Sequence, residues 1–429
     1  MMLRADLVSA TKLLRLAIAI IVGLLLVFRL PASSAQRPLP NIIVIVTDDQ
    51  NVDSLPVMRK LMRSPGGSWV RFTNAFVNDS ICCPARASLL TGQYAFRTGV
   101  IDNRTGDRLN DANTLPVWLD RVGYRTGLVG KYLNGFPWDR GAGYVPPGWD
   151  LFRQSRSGTA DERTKQAVDF VKSTAAPFFL YLAYNDPHWA ARPARRYQSA
   201  EVYVPPEPRS FNEADVSDKP RWIRNLPPLT ETTIEEWRRE RLASQRALLA
   251  VDDGIQQIIA ALRAKRRLDN TMIVFLADHG FSWGSHRWIK KVCVYEECIR
   301  TPLFVRYPGL EQNRIERRLV SNVDVATTIA NYVGIKPRLP QDGRSLLPLI
   351  ARTSKGWAEE IFLEAHQRPS RTFDGIRVRG WVYAEYENGD MELYDLADDP
   401  FQLQNQAGNP AYRGKREELA RRMRELKEP

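Results

Sequence analysis

Four short apolar runs, each closing on ionisable residues, limit the folds open to this chain more than any other feature. The runs are IIVIVTDD (Ile42 to Asp49), TGLVGK (Thr126 to Lys131), FFLYLAYND (Phe178 to Asp186) and MIVFLADHG (Met272 to Gly280). Being nearly continuously apolar, they read as strands buried on both faces, the pattern that parallel sheets require. Between the third and the fourth, Leu248, Val251, Ile255, Ile258 and Leu262 recur at three- and four-residue spacing. That spacing gives a helix one apolar face to lay against a sheet. Strand and helix in alternation predict an α/β fold. Asp48 and Asp49 close the first run, Lys131 the second, and Asp278 and His279 the fourth, while His188 follows the third. All would project from the carboxyl edge of a parallel sheet, where open α/β folds bind ligands. Each alone reads equally well as a capping aspartate or a surface lysine; their convergence marks a site.

The chain has four cysteines, two of them adjacent in SICCPARASLLTG (Ser80 to Gly92). Vicinal cysteines rarely bridge each other, and Cys293 and Cys298 could pair separately in an exported protein, with connectivity left open by the sequence. No CxxC pair and no histidine at finger spacing supports zinc. Pro84 suits the first turn of a helix. A helix running through ARASLLTGQY would place Cys82 at its N-terminal mouth, where anions are attracted.

At the N-terminus, Arg4, Lys12 and Arg15 precede the apolar run LAIAIIVGLLLVF (Leu16 to Phe28), which is followed by PASSAQ. This is the pattern of a secretory signal peptide over residues 1–35 with cleavage after Ala35; an uncleaved membrane anchor is the alternative. Either arrangement puts the remaining chain outside the cytoplasm, secreted or periplasmic. The 429 residues carry a net charge of +12, which favours anionic partners, although a solvated basic surface accounts for it equally well. A large domain over residues 36–340 is predicted, with a small α+β subdomain at 341–429. In the latter, FDGIRVRGWVYAEYENGDMELYDL alternates around Asn388-Gly389, a hairpin signal, and GKREELARRMRELK reads as a closing basic helix. The Pro-rich stretch from Tyr203 to Pro228 reads as a surface excursion near the site.

These residues resemble the formylglycine-dependent sulfatase family. SICCPARASLLTG fits its Cys-x-Pro-(Ser/Ala)-Arg signature, and TDDQ, GLVGKYLNG, NDPHW, ADHG, KKVCVYEECIRTPLFV and ELYDLADDP follow in the family's order from Asn41 to Pro400. The resemblance implies an alkaline-phosphatase-like sandwich: a large, mostly parallel sheet flanked by helices, then a small antiparallel sheet and helix. It implies conversion of Cys82 to formylglycine by a maturation enzyme, with Cys83 filling the variable position. It implies a divalent metal held by Asp48, Asp49, Asp278, His279 and residue 82. Hard oxygen ligands favour Ca²⁺, and the nitrogen of His279, where many members carry Asn, leaves Mn²⁺ or Mg²⁺ open. Arg86 would hold the hydrated aldehyde, Lys131 and Lys291 the sulfate oxygens, His188 would act as general acid and Asp278 as proton acceptor. Lys290 replaces Lys291 if the register slips.

Many sulfatases have Lys-x-His where this chain has Lys131, Tyr132 and Leu133. GKYLNG and Cys-Cys-Pro instead resemble the N-acetylglucosamine-6-sulfatase and heparan endosulfatase branch. That implies a sulfated amino sugar or glycosaminoglycan as substrate and no nucleic acid partner, with membrane contact only through an uncleaved N-terminus. His286 would line the leaving-group side or lie in an exposed loop. The alternatives are an arylsulfatase of broad specificity, a phosphodiester or phosphonate monoester hydrolase on the same scaffold, and a noncatalytic polyanion binder.

Overall fold

The computed structural model describes residues 39–428 apart from 135, 137–142, 156, 176, 311 and 368. The signal-peptide or anchor reading of residues 1–35 falls outside the described residues. Strand β1 (Asn41–Thr47) is buried along its whole length. The two-residue period of a strand sends Ile42, Val44 and Val46 into one core and Ile43 and Ile45 into another, so each face of the sheet has its own hydrophobic layer. Burying each such side chain contributes roughly 1.5–3 kcal/mol.

The other strands are β2 (Trp69–Phe76), β3 (Arg125–Gly130), β4 (Leu151–Gln154), β5 (Phe178–Ala183), β6 (Thr271–Ala277), the two-residue pair β7 (Ser282–Trp283) and β8 (Ile289–Lys290), β9 (Arg300–Arg306), β10 (Arg314–Glu316) and β11 (Val320–Ser321). Among the described residues, the main sheet runs β10-β2-β9-β6-β1-β5-β3-β4, with β11 also pairing β2. β1 pairs β5 and β6 in parallel, and β3 pairs β4 and β5 in parallel. β9 alone runs against its neighbours, β2 and β6.

Five helices matter for the site and its support: α1 (Cys82–Thr91), α2 (Ala160–Ser173), α3 (Glu231–Ala264), α4 (Val323–Val333) and α5 (Arg413–Lys427). α1 and α4 cover the face that carries Val44, through Ala87, Leu90, Val325 and Ile329. α2 and α3 cover the opposite face, and the periodic residues Leu248, Val251, Ile255, Ile258 and Leu262 all lie in that core. A capping box starts α2, Thr159 accepting from the Glu162 N–H while Glu162 accepts from the Thr159 N–H.

α1 begins at Cys82 but stops before Tyr94. Gly92 adopts φ 70°, donating its N–H to the Ser88 carbonyl at 2.8 Å, and a Cβ there would lie 2.2 Å from Gln341 Oε1. Glycine therefore ends the helix where the apolar pattern alone would continue it.

A second, antiparallel sheet joins β12 (Glu360–Ala365), β13 (Phe373–Val378), β14 (Trp381–Tyr386) and β15 (Met391–Asp395) in that order. Gly389, at φ 86°, turns the β14–β15 hairpin. α5 packs on this sheet through Leu419, Ala420 and Met423, and Glu364 of β12 accepts from the Ala95 and Phe96 N–H groups at 2.7 and 2.9 Å just beyond α1.

Candidate active site

Three neighbouring parallel strands, β6, β1 and β5, deliver their carboxyl ends to one place. After Thr47 the chain turns sharply: the Asp48 N–H donates to the Asp186 carbonyl beyond β5, and the Asp49 N–H donates to Asp278 Oδ1 beyond β6. Asp49 takes φ 64°, a left-handed conformation disfavoured for a residue with a side chain. Both neighbouring strands thus hold the two aspartates in position.

Cys82, the first residue of α1, points into this edge and is buried. Its Sγ lies 3.2 Å from Lys291 Nζ, 3.3 Å from His279 Nε2 and 3.7 Å from Asp48 Oδ1. One turn along α1, Arg86 donates through Nε to Asp278 Oδ2 at 2.9 Å and through Nη1 to the Lys131 carbonyl at 2.9 Å, and its Nη2 is 3.5 Å from Asp48 Oδ2. Lys131 pairs with Asp48, and Lys291 Nζ sits 2.7 Å from Asp49 Oδ1. His188 stands at the mouth, its side chain 32% exposed and its Nε2 3.6 Å from Asp49 Oδ2.

The charges are interlocked. Burial would raise the carboxyl pKa of Asp48, but Lys131 and Arg86 hold it well below the usual range. Burial likewise opposes ionisation of the Cys82 thiol, yet Lys131 and Lys291 bring it down to about 7. Burial works against a charged His279, and Asp278 overrides it to carry the imidazole up to about 9. Cys83, one residue away, points instead at the Asn134 carbonyl, and burial pushes its thiol up to about 12.

One donor atom each from Asp48, Cys82, Asp278 and His279 lies within 4.8 Å of the others, as do atoms of Asp48, Asp49, Cys82 and His188. Asp49 Oδ2 is buried without a hydrogen-bond partner. An orphaned carboxylate oxygen beside two further carboxylates fits a hard divalent cation. Residue 82 adjoins the same cluster, so a hydrated aldehyde there would meet Lys291, His279 and Asp48 where the thiol meets them now.

The structure thus brings together Cys82, Arg86, Lys131, His188, Asp278, Lys291, Asp48, Asp49 and His279. Lys290 points elsewhere, its ammonium lying over the Trp189 ring. His286 neither lines a leaving-group pocket nor lies exposed: it is buried, with Nδ1 2.6 Å from Glu213 Oε2 and its ring against Tyr295. It pins the excursion, whose Phe211 bridges to Ser285, onto the loop after β7. Cys293 and Cys298 form a disulfide. Sequence reasoning missed the aromatic residues beside His188, although Trp189 is its immediate neighbour.

The model of the family described as Sulfatase matches residues 40–335. The chain belongs to the sulfatase family. A second model, N-sulphoglucosamine sulphohydrolase, C-terminal, matches residues 284–429 of this sulfatase. Human N-acetylglucosamine-6-sulfatase is 30% identical over 395 residues, covering 81% of this chain and 71% of its own. A solved protein bound to its substrate D-glucosamine-2-N,6-O-disulfate superposes with TM-score 0.76 at 22% identity, over 90% of this chain and 97% of the other. A phosphonate monoester hydrolase from Silicibacter pomeroyi gives TM-score 0.76 at 20% identity, over 90% and 94%. These two likenesses establish the alkaline-phosphatase-like fold. Sulfatases typically use a metal and a formylglycine, and the buried cluster around Cys82 is consistent with both. No helix among the described residues is long and apolar enough to cross a membrane.

Proposed function

We propose that this sulfatase is a secreted hydrolase of sulfate esters on an amino sugar or glycosaminoglycan, with formylglycine at position 82 and Ca²⁺ as its metal. The observation that carries this reading is the setting of Cys82, at the start of a helix and within 3.7 Å of a lysine, a histidine and an aspartate. The relatives that act on glucosamine sulfates support the substrate class.

A formylglycine hydrate would supply one hydroxyl to attack sulfur with loss of the alcohol and a second whose deprotonation restores the aldehyde and expels sulfate. A divalent cation held by Asp48, Asp49, Asp278 and His279 would supply Lewis acidity at the sulfate oxygens. Arg86 orients the side chain of residue 82 and, bonded to Asp278, fixes that carboxylate to receive the attacking proton. Lys131 and Lys291 neutralise charge gathering on the sulfate oxygens. His188, the most exposed member, gives its Nε2 proton to the departing alkoxide oxygen. Burial of the remaining groups excludes water from the reacting centre.

The test is to produce the protein with a formylglycine-generating enzyme, analyse the peptide Phe72 to Arg86 by mass spectrometry, and measure hydrolysis of N-acetylglucosamine 6-sulfate beside a matched phosphonate ester. Aldehyde at position 82 with faster sulfate turnover is expected. Full activity with an intact thiol would overturn the mechanism, and faster phosphonate turnover would overturn the substrate class.

A further inference from the structure

Next to His188 the surface carries aromatic rings that the chemistry at sulfur does not use. Trp189 is 40% exposed, unusual for so large an apolar side chain. Its ring lies nearly parallel to the His188 imidazole, at 16° and 6.1 Å between centroids. Trp237 meets Trp189 edge-on at 5.8 Å and touches Trp283 at 6.0 Å. The cluster is tied to the catalytic loop: Trp283 Nε1 donates to Asn51 Oδ1 at 3.2 Å, and Asn51 Nδ2 donates to the Phe281 carbonyl at 2.8 Å. Lys290 Nζ stands 5.7 Å above Trp189 and makes no ion pair among the described residues. Beyond Trp237 a groove of about 400 Å³ continues between Trp283, Phe211, Pro205 and Pro206.

Resting on the reading of His188 as the proton donor to the leaving oxygen, we infer that Trp189 and Lys290 form the leaving-group subsite. It takes a pyranose that carries a second anionic substituent. The leaving oxygen must lie at His188, so the ring bearing it has to pass over the adjoining side chain. Trp189 offers a flat apolar surface for the C–H face of a pyranose. Lys290 supplies a cation, free of a carboxylate partner, for a further sulfate or carboxylate on that sugar. A longer chain continues into the groove past Trp237. Neither side chain reaches the reacting sulfur, although the Trp189 carbonyl meets His188 Nδ1; both side chains set which sugar is held.

Matured wild type, Trp189→Ala, Trp189→Phe and Lys290→Gln are compared on N-acetylglucosamine 6-sulfate and N-sulfoglucosamine 6-sulfate. Loss of the indole should raise KM about tenfold on both sugars, as expected from the apolar area it covers, with kcat little changed and Phe restoring much of the loss. Lys290→Gln should raise KM several-fold on the disulfated sugar only. Unchanged KM in Trp189→Ala, or equal effects of Lys290→Gln on both sugars, overturns the subsite. Calorimetric binding of the same sugars to the unmatured Cys82 protein separates this inference from the hydrolytic reading. If wild type turns over neither sugar yet binds them in a Trp189- and Lys290-dependent way, the hydrolytic reading fails and the subsite stands. Binding indifferent to both substitutions, or no binding, removes the subsite.

Discussion

His188 and Lys131 touch the same cluster from opposite sides of the burial scale, and that difference separates their expected roles. His188 is about one-third exposed at the mouth, whereas Lys131 is buried against Asp48. If His188 protonates the leaving oxygen, His188→Ala should cost on the order of a hundredfold on an alkyl sulfate, and far less on an aryl sulfate whose phenolate leaves unaided. Lys131→Ala should impair both substrates alike, because sulfate oxygens do not differ between them. Steady-state kinetics of both variants on both esters checks this, and equal losses for His188→Ala would remove it from the acid role. Asp48→Ala and Asp278→Ala each delete a carboxylate that a hard cation cannot replace, so metal content by elemental analysis should fall together with turnover. Most of the cluster was readable from sequence because its members sit at or just beyond strand ends or in a helix-opening motif, whereas Lys291 is named from the family resemblance. His286 was not: its partner Glu213 stands 73 residues earlier, and no local pattern links them. The adjacent pair Lys290 and Lys291 does not by itself say which faces inward, and the choice of Lys291 comes from that resemblance; positive φ at Lys290 and Val292 shapes that turn.

Lys291 reaches Cys82 on a segment anchored at several points. The Val292 N–H donates to the Ser80 carbonyl at 3.2 Å, and Ser80 Oγ bonds both the carbonyl and the N–H of Cys293 at 3.3 Å. The buried disulfide from Cys293 to Cys298 closes a short loop immediately beyond. Replacing both cysteines by serine should lower stability by about 2 kcal/mol, the chain-entropy value for so small a loop, measurable as a shift in denaturant midpoint. A pH dependence arises at α4, where Asp324 accepts from the Ser321 and Arg344 N–H groups at 2.8 and 2.7 Å. Burial pushes its carboxyl from an ordinary value of 3.8 up to about 6. The folded state therefore binds this proton more tightly than the unfolded chain does. The contribution to stability is full below pH 3.8 and is lost as pH rises through about 6, an effect on the order of a few kcal/mol. Asp324→Asn should flatten that segment of the stability-against-pH curve, read by thermal unfolding in a buffer series. At this scale the sequence is readable in its periodicities, as the α3 residues at three- and four-residue spacing show. It is less readable where one backbone conformation overrides the pattern, as Gly92 does in ending α1 before Tyr94.

The second sheet packs on the rest of the chain, and we propose residue 340 as the boundary of a C-terminal subdomain that cannot be spared. Phe76, Ile81 and Tyr295 share a core with Ile361, Leu363, Phe373 and Tyr394 of the second sheet. A chain ending at Pro340 would expose that apolar face and leave the Ala95 and Phe96 N–H groups without Glu364. Such a truncation should be recovered in the insoluble fraction, and soluble, cooperatively unfolding protein would refute the interdependence. The α/β order and the catalytic edge were legible from sequence because strands buried on both faces are apolar throughout. The strand order was not, since β1 lies beside strands from distant parts of the chain and no residue pattern records that pairing. That placement has a consequence in time. Asn41 Nδ2 bonds Thr271 Oγ1, 230 residues later, so at ribosomal speeds β1 waits roughly 10–45 s for β6 to be synthesised. Cys82 is made within that interval, before its neighbours Asp278 and His279 exist, so we expect its segment to stay open to a modifying enzyme until β6 closes against β1.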